Sequence, residues 1–283
     1  MIQKNTGAHP DTMSQMNDLI LQERHDDVVT LSFNDPDHLN AMTRAMGEAF
    51  AEQVTALAQD TALRAVILTG RGRAFSAGGD MAMLQEQAAE GRERPGIARR
   101  AIRDRMRSFY TLFLAVRELP CPTIAALNGH AIGAGFCVAL ACDLRLVAQE
   151  ARLGLNFTKL GLHPGMAATW TLPRLVGPAL AAELLYTSRV VGGEEAVRIG
   201  LANRALPTEE VLGAAKDMAA EMAACSPVAN RAVKRALARS QDASLQDQLS
   251  FEAAEQAITF ETEDVHEGLA ALQARRAPRF QGH

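Results

Sequence analysis

The sequence predicts an α/β fold that is followed by an all-helical C-terminal region. Short apolar runs typical of strands recur as far as residue 148, and several of them lead into segments with helical spacing. Beyond that point, helical patterns separated by Gly or Pro dominate. We therefore predict a flexible extension over residues 1–17, an α/β core over 18–205 and a helical, oligomer-forming region over 206–283.

The core begins with a hairpin and a helix. Residues 19–24 and Val28–Phe33 have the composition of strands, and the polar segment 25–27 supplies the turn between them. Residues 43–60 repeat apolar side chains at helical spacing, which predicts an amphipathic helix with Thr43 or a neighbour as its N-cap.

Two glycine-rich stretches, 74–81 and 128–135, are the most informative feature of the chain. Each follows a predicted strand, at 65–69 and Thr123–Leu127, and each leads into a predicted helix. Either stretch alone is typical of a tight turn. Two such turns that each open a helix can aim two backbone N–H groups at one point, which is how an oxyanion hole is built. Together they predict chemistry on a carbonyl group, such as that of a thioester.

The rest of the chain continues this pattern and then becomes helical. Leu144–Ala148 predicts another strand, and residues 161–165 predict a turn. Helices are predicted over 167–175, 179–187, 194–199 and 209–224, and the chain is predicted to stay helical to Arg276.

Composition excludes several classes of function. Hydrophobic residues make up 48% and charged residues 22%, the net charge is −4 and the pI is about 6.0, so nothing indicates a nucleic-acid or membrane partner. Apolar runs are shorter than the roughly 20 residues of a membrane helix. The four cysteines lack metal-site spacing, so we expect reduced thiols, no metal and a cytoplasmic location. Residues 1–17 lack the pattern of a secretory signal.

Several motifs in a fixed order resemble the enoyl-CoA hydratase/isomerase (crotonase) superfamily. The resemblance runs from about residue 19 to 280. The matching segments are 38–42, 65–81, 122–143, 161–165, 172–177 and 196–201 with Asn203. This resemblance implies a crotonase-like spiral of ββα units, and homotrimers that often pair into hexamers. It also implies an acyl-CoA substrate and no separate cofactor, because CoA is part of the substrate.

The resemblance also implies roles for individual residues. The amides of Gly79 and Ala134 match the two oxyanion donors, and a glycine at the first donor lets a ligand approach the backbone closely. Leu39 and Ala41 match backbone positions that contact the adenine end of CoA. The expected substrate- and CoA-binding residues are Leu39, Ala41, Ala77, Asp80, Met81, Ile132, Gly135, Phe157 and Leu162.

The sequence departs from the family pattern where hydratases carry their acid and base. The two glutamates of those enzymes match Cys137 and Phe157 here, and an aspartate of some isomerases and dehalogenases matches Gly165. Water addition needs an acid and a base, and the usual groups are absent. An aromatic residue at position 157 makes a drier pocket, which suits an enolate that forms without water.

Four other side chains are candidates for the chemistry. His163 is either the acid/base group or a loop histidine that bonds a backbone carbonyl. Cys137, in the first turn of a predicted helix, is either a thiol of lowered pKa or an apolar filler. For Asp80 we predict a helix cap, and for His130 a structural role.

A predicted helix between Arg92 and Arg107 carries seven arginines. They could meet CoA phosphates or an acidic carrier protein, or they could pair with Glu90, Glu93 and Asp104 on a solvated face. The resulting hypothesis is an oxyanion-hole enzyme on an acyl-CoA thioester, in the lyase or isomerase class. The alternatives are a decarboxylase or double-bond isomerase on a CoA or carrier-protein thioester, and a non-catalytic acyl-CoA-binding protein.

Overall fold

Residues 19–283, which a computed structural model describes, contain ten strands in two sheets. The predicted extension 1–17 lies outside these described residues. The strands are β1 (Ile20–His25), β2 (Val28–Phe33), β3 (Ala65–Gly70), β4 (Ala74–Ser76), β5 (Thr123–Leu127), β6 (His130–Ile132), β7 (Leu144–Ala148), β8 (Arg152–Gly154), β9 (Val191–Gly192) and β10 (Arg204–Leu206).

The larger sheet has the order β1-β2-β3-β5-β7-β10 and confirms the predicted α/β fold class. Its first pair is the predicted antiparallel hairpin, and all its other neighbours are parallel. The central strands are buried on both faces, which is typical of parallel sheets covered by helices.

The smaller sheet, in the order β4-β6-β8-β9, was not predicted. Strands β4 and β6 have only three residues each and lie within the two glycine-rich stretches that were interpreted as turns. Such short strands carry no measurable periodicity. Strands β8, β9 and β10 were missed for the same reason, because none has more than three residues.

Eleven α-helices lie within the described part of the chain. They are α1 (Arg44–Ala58), α2 (Met81–Glu93), α3 (Ala98–Leu114), α4 (Ala134–Ala141), α5 (Ala168–Val176), α6 (Pro178–Thr187), α7 (Gly193–Arg198), α8 (Thr208–Ala223), α9 (Pro227–Ser240), α10 (Leu245–Phe260) and α11 (Glu263–Ala274). The predicted helices between 167 and 224 agree to within a residue or two. Thr43 caps α1, because its hydroxyl accepts a hydrogen bond from Met46 N–H at 3.1 Å. In residues 19–283, no helix is both long and apolar enough to cross a membrane.

The single arginine-rich helix between Arg92 and Arg107 was a wrong prediction. Helix α2 ends at Glu93, and α3 begins only at Ala98. Pro95 causes the break, because the residue before a proline is disfavoured in helical conformation, and Arg94 is indeed non-helical at φ −131° and ψ 63°. Six of the seven arginines therefore lie on two helices, and Arg94 lies in the bend between them.

Five phenylalanines join the helices to the sheets. Phe113 of α3 packs against Phe33 of β2, Phe50 of α1 and Phe109, with ring centroids 5.1–6.4 Å apart. Phe75 of β4 meets Phe33 edge to face at 5.6 Å. All five rings are buried, so this cluster fixes α1 and α3 relative to the strand that precedes the first glycine-rich turn.

Truncation of this cluster should destabilise the fold strongly. We expect Phe113→Ala to lower the free energy of unfolding by about 3–5 kcal/mol, because it opens a cavity in a fully buried site. Urea unfolding followed by circular dichroism measures this change. The control is Ile97→Ala, just before the same helix, where the side chain is 78% exposed. It should cost at most about 0.5 kcal/mol, and equal losses in both variants would contradict the role of the cluster.

Candidate active site

The two glycine-rich turns lie against each other. Parallel pairing of β4 with β6 puts the turns that follow them side by side. Gly78 has φ +96°, and a Cβ atom there would lie 2.6 Å from the carbonyl oxygen of Ile132. A Cβ atom on Gly135 would lie 2.6 Å from the side chain of Ser76. Only glycine allows this approach at either position, so these glycines bring the backbone of one turn to the start of helix α4.

Two backbone amides at this contact have no acceptor. Ala134 is the first residue of α4, where an N–H group has no partner within the helix. Gly79 precedes α2, and its neighbours Gly78 and Asp80 carry the hydrogen bonds to Met42. Within residues 19–283, neither the Gly79 nor the Ala134 amide donates a hydrogen bond, and both line one cavity of about 260 Å³. We call this the central cavity.

The structure brings about half of the sequence-predicted site residues to the central cavity. Those that line it are Ala77, Gly79, Met81, Ala134, Phe157, Leu162 and His163. Those that lie outside its lining are Leu39, Ala41, Asp80, Ile132, Gly135 and Cys137. Most of the lining is apolar, and no aspartate or glutamate of the described chain contributes to it.

Asn40 holds the first turn in place, and the sequence analysis did not single it out. Its fully buried amide donates to the carbonyl oxygens of Arg71 and Ala74, each at 2.9 Å, and accepts from Asp35 N–H at 2.8 Å. Its own carbonyl accepts from the Ser76 hydroxyl at 2.7 Å. Ala77 N–H donates to Leu39 O at 2.9 Å, so residues 39–42 are joined along their length to residues 77–80. A buried asparagine between two apolar residues was the available signal.

Asp80 is a helix cap, as predicted. Its carboxylate accepts a hydrogen bond from Met83 N–H at 2.8 Å in the first turn of α2. His130 has the structural role that was predicted, because its Nδ1 accepts from Arg152 N–H at 3.0 Å and links β6 to β8.

Of the two interpretations of Cys137, the structure contradicts a thiol of lowered pKa. The side chain is fully buried in α4, and burial raises the pKa of its thiol. Within the described residues, the thiol makes one hydrogen bond, a weak one that it donates to the carbonyl oxygen of Gly165 at 3.8 Å. The helix N-terminus that was expected to favour a thiolate is outweighed by loss of solvent, so the structure favours the apolar-filler interpretation.

His163 is exposed on the loop before α5 and lines the rim of the central cavity. Its Nδ1 lies 2.8 Å from the carbonyl oxygen of Pro164, which is the bond that the loop interpretation predicted. This bond holds the ring in one orientation and does not engage Nε2. This contact supports the structural interpretation, and the acid/base role stays a prediction.

The arginines near the predicted cleft are partly neutralised. Arg94 and Arg105 both pair with Glu90, and Arg103 pairs with Asp104. Near the C-terminus, Arg276 pairs with Glu267 at 2.6 Å. These contacts support the solvated-face interpretation for the paired residues.

Tyr110 of α3 was missed by the sequence analysis although it lines the central cavity. Its hydroxyl lies where a side chain at position 165 would project, since a Cβ atom on Gly165 would be 2.4 Å from Tyr110 Oη. Burial, and secondarily the nearby Cys137 thiol, raise the pKa of Tyr110. Its position four residues after Met106 on an apolar face gave only a core-like signal.

The chain is similar to known proteins over almost all of its length. A family model described as enoyl-CoA hydratase/isomerase matches residues 23–283. The crotonyl-CoA hydratase of Syntrophomonas wolfei is 34% identical over 92% of this chain and 97% of its own. The 2,3-dehydroadipyl-CoA hydratase of Escherichia coli is 33% identical over 94% and 100% of the two chains. A crystal structure of enoyl-CoA hydratase from Bacillus anthracis matches with a TM-score of 0.86 at 33% identity. The match covers 94% of this chain and 100% of that one.

Thiol reactivity tests the burial of Cys137. Cys121, Cys137 and Cys142 are buried, and burial raises the pKa of the Cys121 and Cys142 thiols to about 11 and about 12. Cys225 is the exposed thiol. We expect iodoacetamide at pH 7.5 to add one group to the native protein, at Cys225, and four in denaturant, as counted by intact mass. Rapid native labelling of Cys137 would contradict this description of its environment.

Proposed function

The chain belongs to the enoyl-CoA hydratase/isomerase family, and from this premise we propose that it is an enzyme that acts on an acyl-CoA thioester through a stabilised enolate. The two unpaired amides at the central cavity carry the proposal. The Gly79 and Ala134 N–H groups would both donate to the thioester oxygen, which gains negative charge as the enolate forms. The N-terminus of α4 adds positive potential at the Ala134 amide.

The surroundings of these amides favour a charged oxygen in the transition state. The cavity that they line is mostly apolar, and Leu84 and Met83 are the side chains nearest to Gly79. A thioester bound there would displace water from the two amides, so each donor would stabilise developing charge more than it could in solvent. Removal of one such donor typically costs about 2.7–4 kcal/mol of transition-state stabilisation.

The remaining binding residues are assigned by their place relative to the two amides. We propose that Leu39 and Ala41 contact the adenine end of CoA through their backbone. Leu39 O already accepts from Ala77 N–H, but a carbonyl oxygen has a second lone pair for a ligand donor. Asp80, Ile132 and Gly135 lie outside the cavity lining and fix the turns that carry the donors. No separate cofactor is proposed, because CoA is part of the substrate.

Hydration is the reaction for which the similar proteins are named, and the lining of the cavity favours a second candidate. Within the described chain, no carboxylate lines the central cavity, so the usual type of base for water is absent. Decarboxylation and a double-bond shift also form a thioester enolate, and neither reaction adds water to the substrate. His163 is the proposed acid/base group on the rim in either case. Cys137 has no such role in this proposal.

We propose that the protein forms homotrimers, alone or in pairs, in the cytoplasm. Helices α9, α10 and α11 expose large apolar side chains that a neighbouring copy would cover. They include Val233, Leu237, Leu245, Leu249, Ile258, Phe260, Leu269 and Leu272.

Isotopic product analysis tests the function. Crotonyl-CoA, a 3-enoyl-CoA and malonyl-CoA are each incubated with the protein in heavy-oxygen water and analysed by mass spectrometry. Label in 3-hydroxybutyryl-CoA supports hydration, and loss of CO₂ or a shifted double bond supports the second candidate. Binding by calorimetry without turnover of any of the three would contradict an enzyme and favour a binding protein. Where turnover occurs, His163→Ala should lower it about 10²-fold, and an unchanged rate would leave His163 with its loop role alone.

Position 79 allows a matched pair of variants. Gly79→Pro removes the N–H group, and no structural hydrogen bond is lost because that amide has no acceptor in residues 19–283. We expect its turnover to fall at least 10²–10³-fold. Gly79→Ala keeps the N–H group, and its Cβ atom would make only ordinary contacts, 3.8 Å from Leu84 and 3.9 Å from Met83. It should stay within about tenfold of the wild type. Retained activity in Gly79→Pro would rule out this amide as a donor.

A further inference from the structure

Two titratable side chains contribute to the lining of the central cavity within the described chain, Tyr110 and His163. They differ in depth. His163 is exposed on the rim and is bonded to Pro164 O, whereas Tyr110 is half-buried between α3 and the loop that contains Gly165. Tyr110 is therefore the titratable group that reaches the interior of the cavity.

The loop that contains Gly165 fixes the position of the phenol. A Cβ atom built on Gly165 would lie 2.4 Å from Tyr110 Oη and 2.7 Å from Cζ. Any other residue at position 165 would push the ring away. The hydroxyl thus fills the space that a side chain of the loop would otherwise occupy.

The hydroxyl shares the cavity with the proposed oxyanion donors. Tyr110, Gly79 and Ala134 all line the central cavity. The first turns of α4 connect the two places, because the Cys137 thiol contacts Gly165 O and the Tyr110 hydroxyl lies against that same glycine. A thioester with its oxygen on the Ala134 amide would extend its α- and β-carbons into the cavity that the tyrosine lines.

Tyr110 is available as a donor. In residues 19–283 its hydroxyl makes no hydrogen bond, so a ligand can use the O–H group without competition from the protein. Burial and the Cys137 thiol raise the pKa of the phenol, so the proton is present at neutral pH. Such a group serves as an acid and not as a resting base.

We propose that Tyr110 is the proton donor of this active site. The inference rests on the proposed function, since it requires an enolate held by Gly79 and Ala134. The electron pair of the enolate forms a C–H bond at the α-carbon, and the O–H bond of Tyr110 breaks. The oxyanion returns to a thioester carbonyl as this happens. Water then returns a proton to the phenolate.

The test compares Tyr110→Phe with Tyr186→Phe. The chain has two tyrosines, and Tyr186 is 81% exposed on α6, outside the lining of the cavity. The substrate is the thioester that the wild type turns over in the isotopic experiment. We expect Tyr110→Phe to lower kcat at least 10²-fold, with KM and the Kd for butyryl-CoA within threefold of the wild type. Where that thioester is crotonyl-CoA, hydration in D₂O by the wild type should place deuterium on one face of the α-carbon, and the residual product of Tyr110→Phe should have lost that selectivity.

The control and the stability measurement separate catalysis from structure. Tyr186→Phe should match the wild type, and Tyr110→Phe should keep its melting temperature, because the hydroxyl has no protein partner in the described residues. Wild-type turnover that Tyr110→Phe leaves unchanged would overturn the role of Tyr110 alone. A large rise in KM with kcat preserved would also overturn it, because that pattern indicates binding and not proton transfer. Absence of wild-type turnover would overturn the proposed function and this role with it.

Discussion

The close approach of two backbone turns is the constraint on which the rest of the site depends. The amides of Gly79 and Ala134 can share one ligand atom only if the turn after β4 lies against the start of α4. Glycines at 78 and 135 allow this approach, because a Cβ atom at either position would overlap the neighbouring chain. Asn40 then fixes the strand that leads into the first turn. Its buried side-chain amide bonds three separate backbone positions, among them Ala74, and its carbonyl accepts from the Ser76 hydroxyl. The proposed oxyanion site thus depends on backbone geometry, with side chains in a supporting role.

Once the amides are fixed, the chemistry depends on what else reaches the cavity. Within the described chain its lining offers no carboxylate, an exposed histidine on the rim and a half-buried tyrosine in the interior. Cys137 lies outside the lining, and its thiol bonds Gly165 O. An apolar cavity of this kind strengthens the interaction with a charged oxygen but disfavours water. It therefore combines well with an enolate that is quenched by a neutral acid.

The sequence was sufficient for the parts of the molecule that depend on local pattern. The hairpin, the long helices, the Thr43 and Asp80 caps and the two glycine-rich turns follow from periodicity, turn chemistry and capping preference. It was insufficient where a residue's role depends on contacts between distant parts of the chain. Strands of three residues are too short to show a periodic pattern, and Tyr110 meets Gly165 only in the tertiary fold. Burial determines the thiol pKa of Cys137, and the position of that residue in a helix does not reveal its burial. The family resemblance supplied the two proposed donor positions, and the structure showed that neither amide has an acceptor within residues 19–283.

Infrared difference spectroscopy of bound butyryl-CoA, labelled with ¹³C at the thioester carbonyl, tests the central claim most directly. It requires no turnover and reports only on the bond that the two amides would polarise. The C=O stretch should move to lower frequency on binding to the wild type and to Gly79→Ala, and much of that shift should be lost in Gly79→Pro. A bound thioester whose carbonyl frequency equals that in water, or a shift that Gly79→Pro retains in full, would contradict an oxyanion site at Gly79 and Ala134.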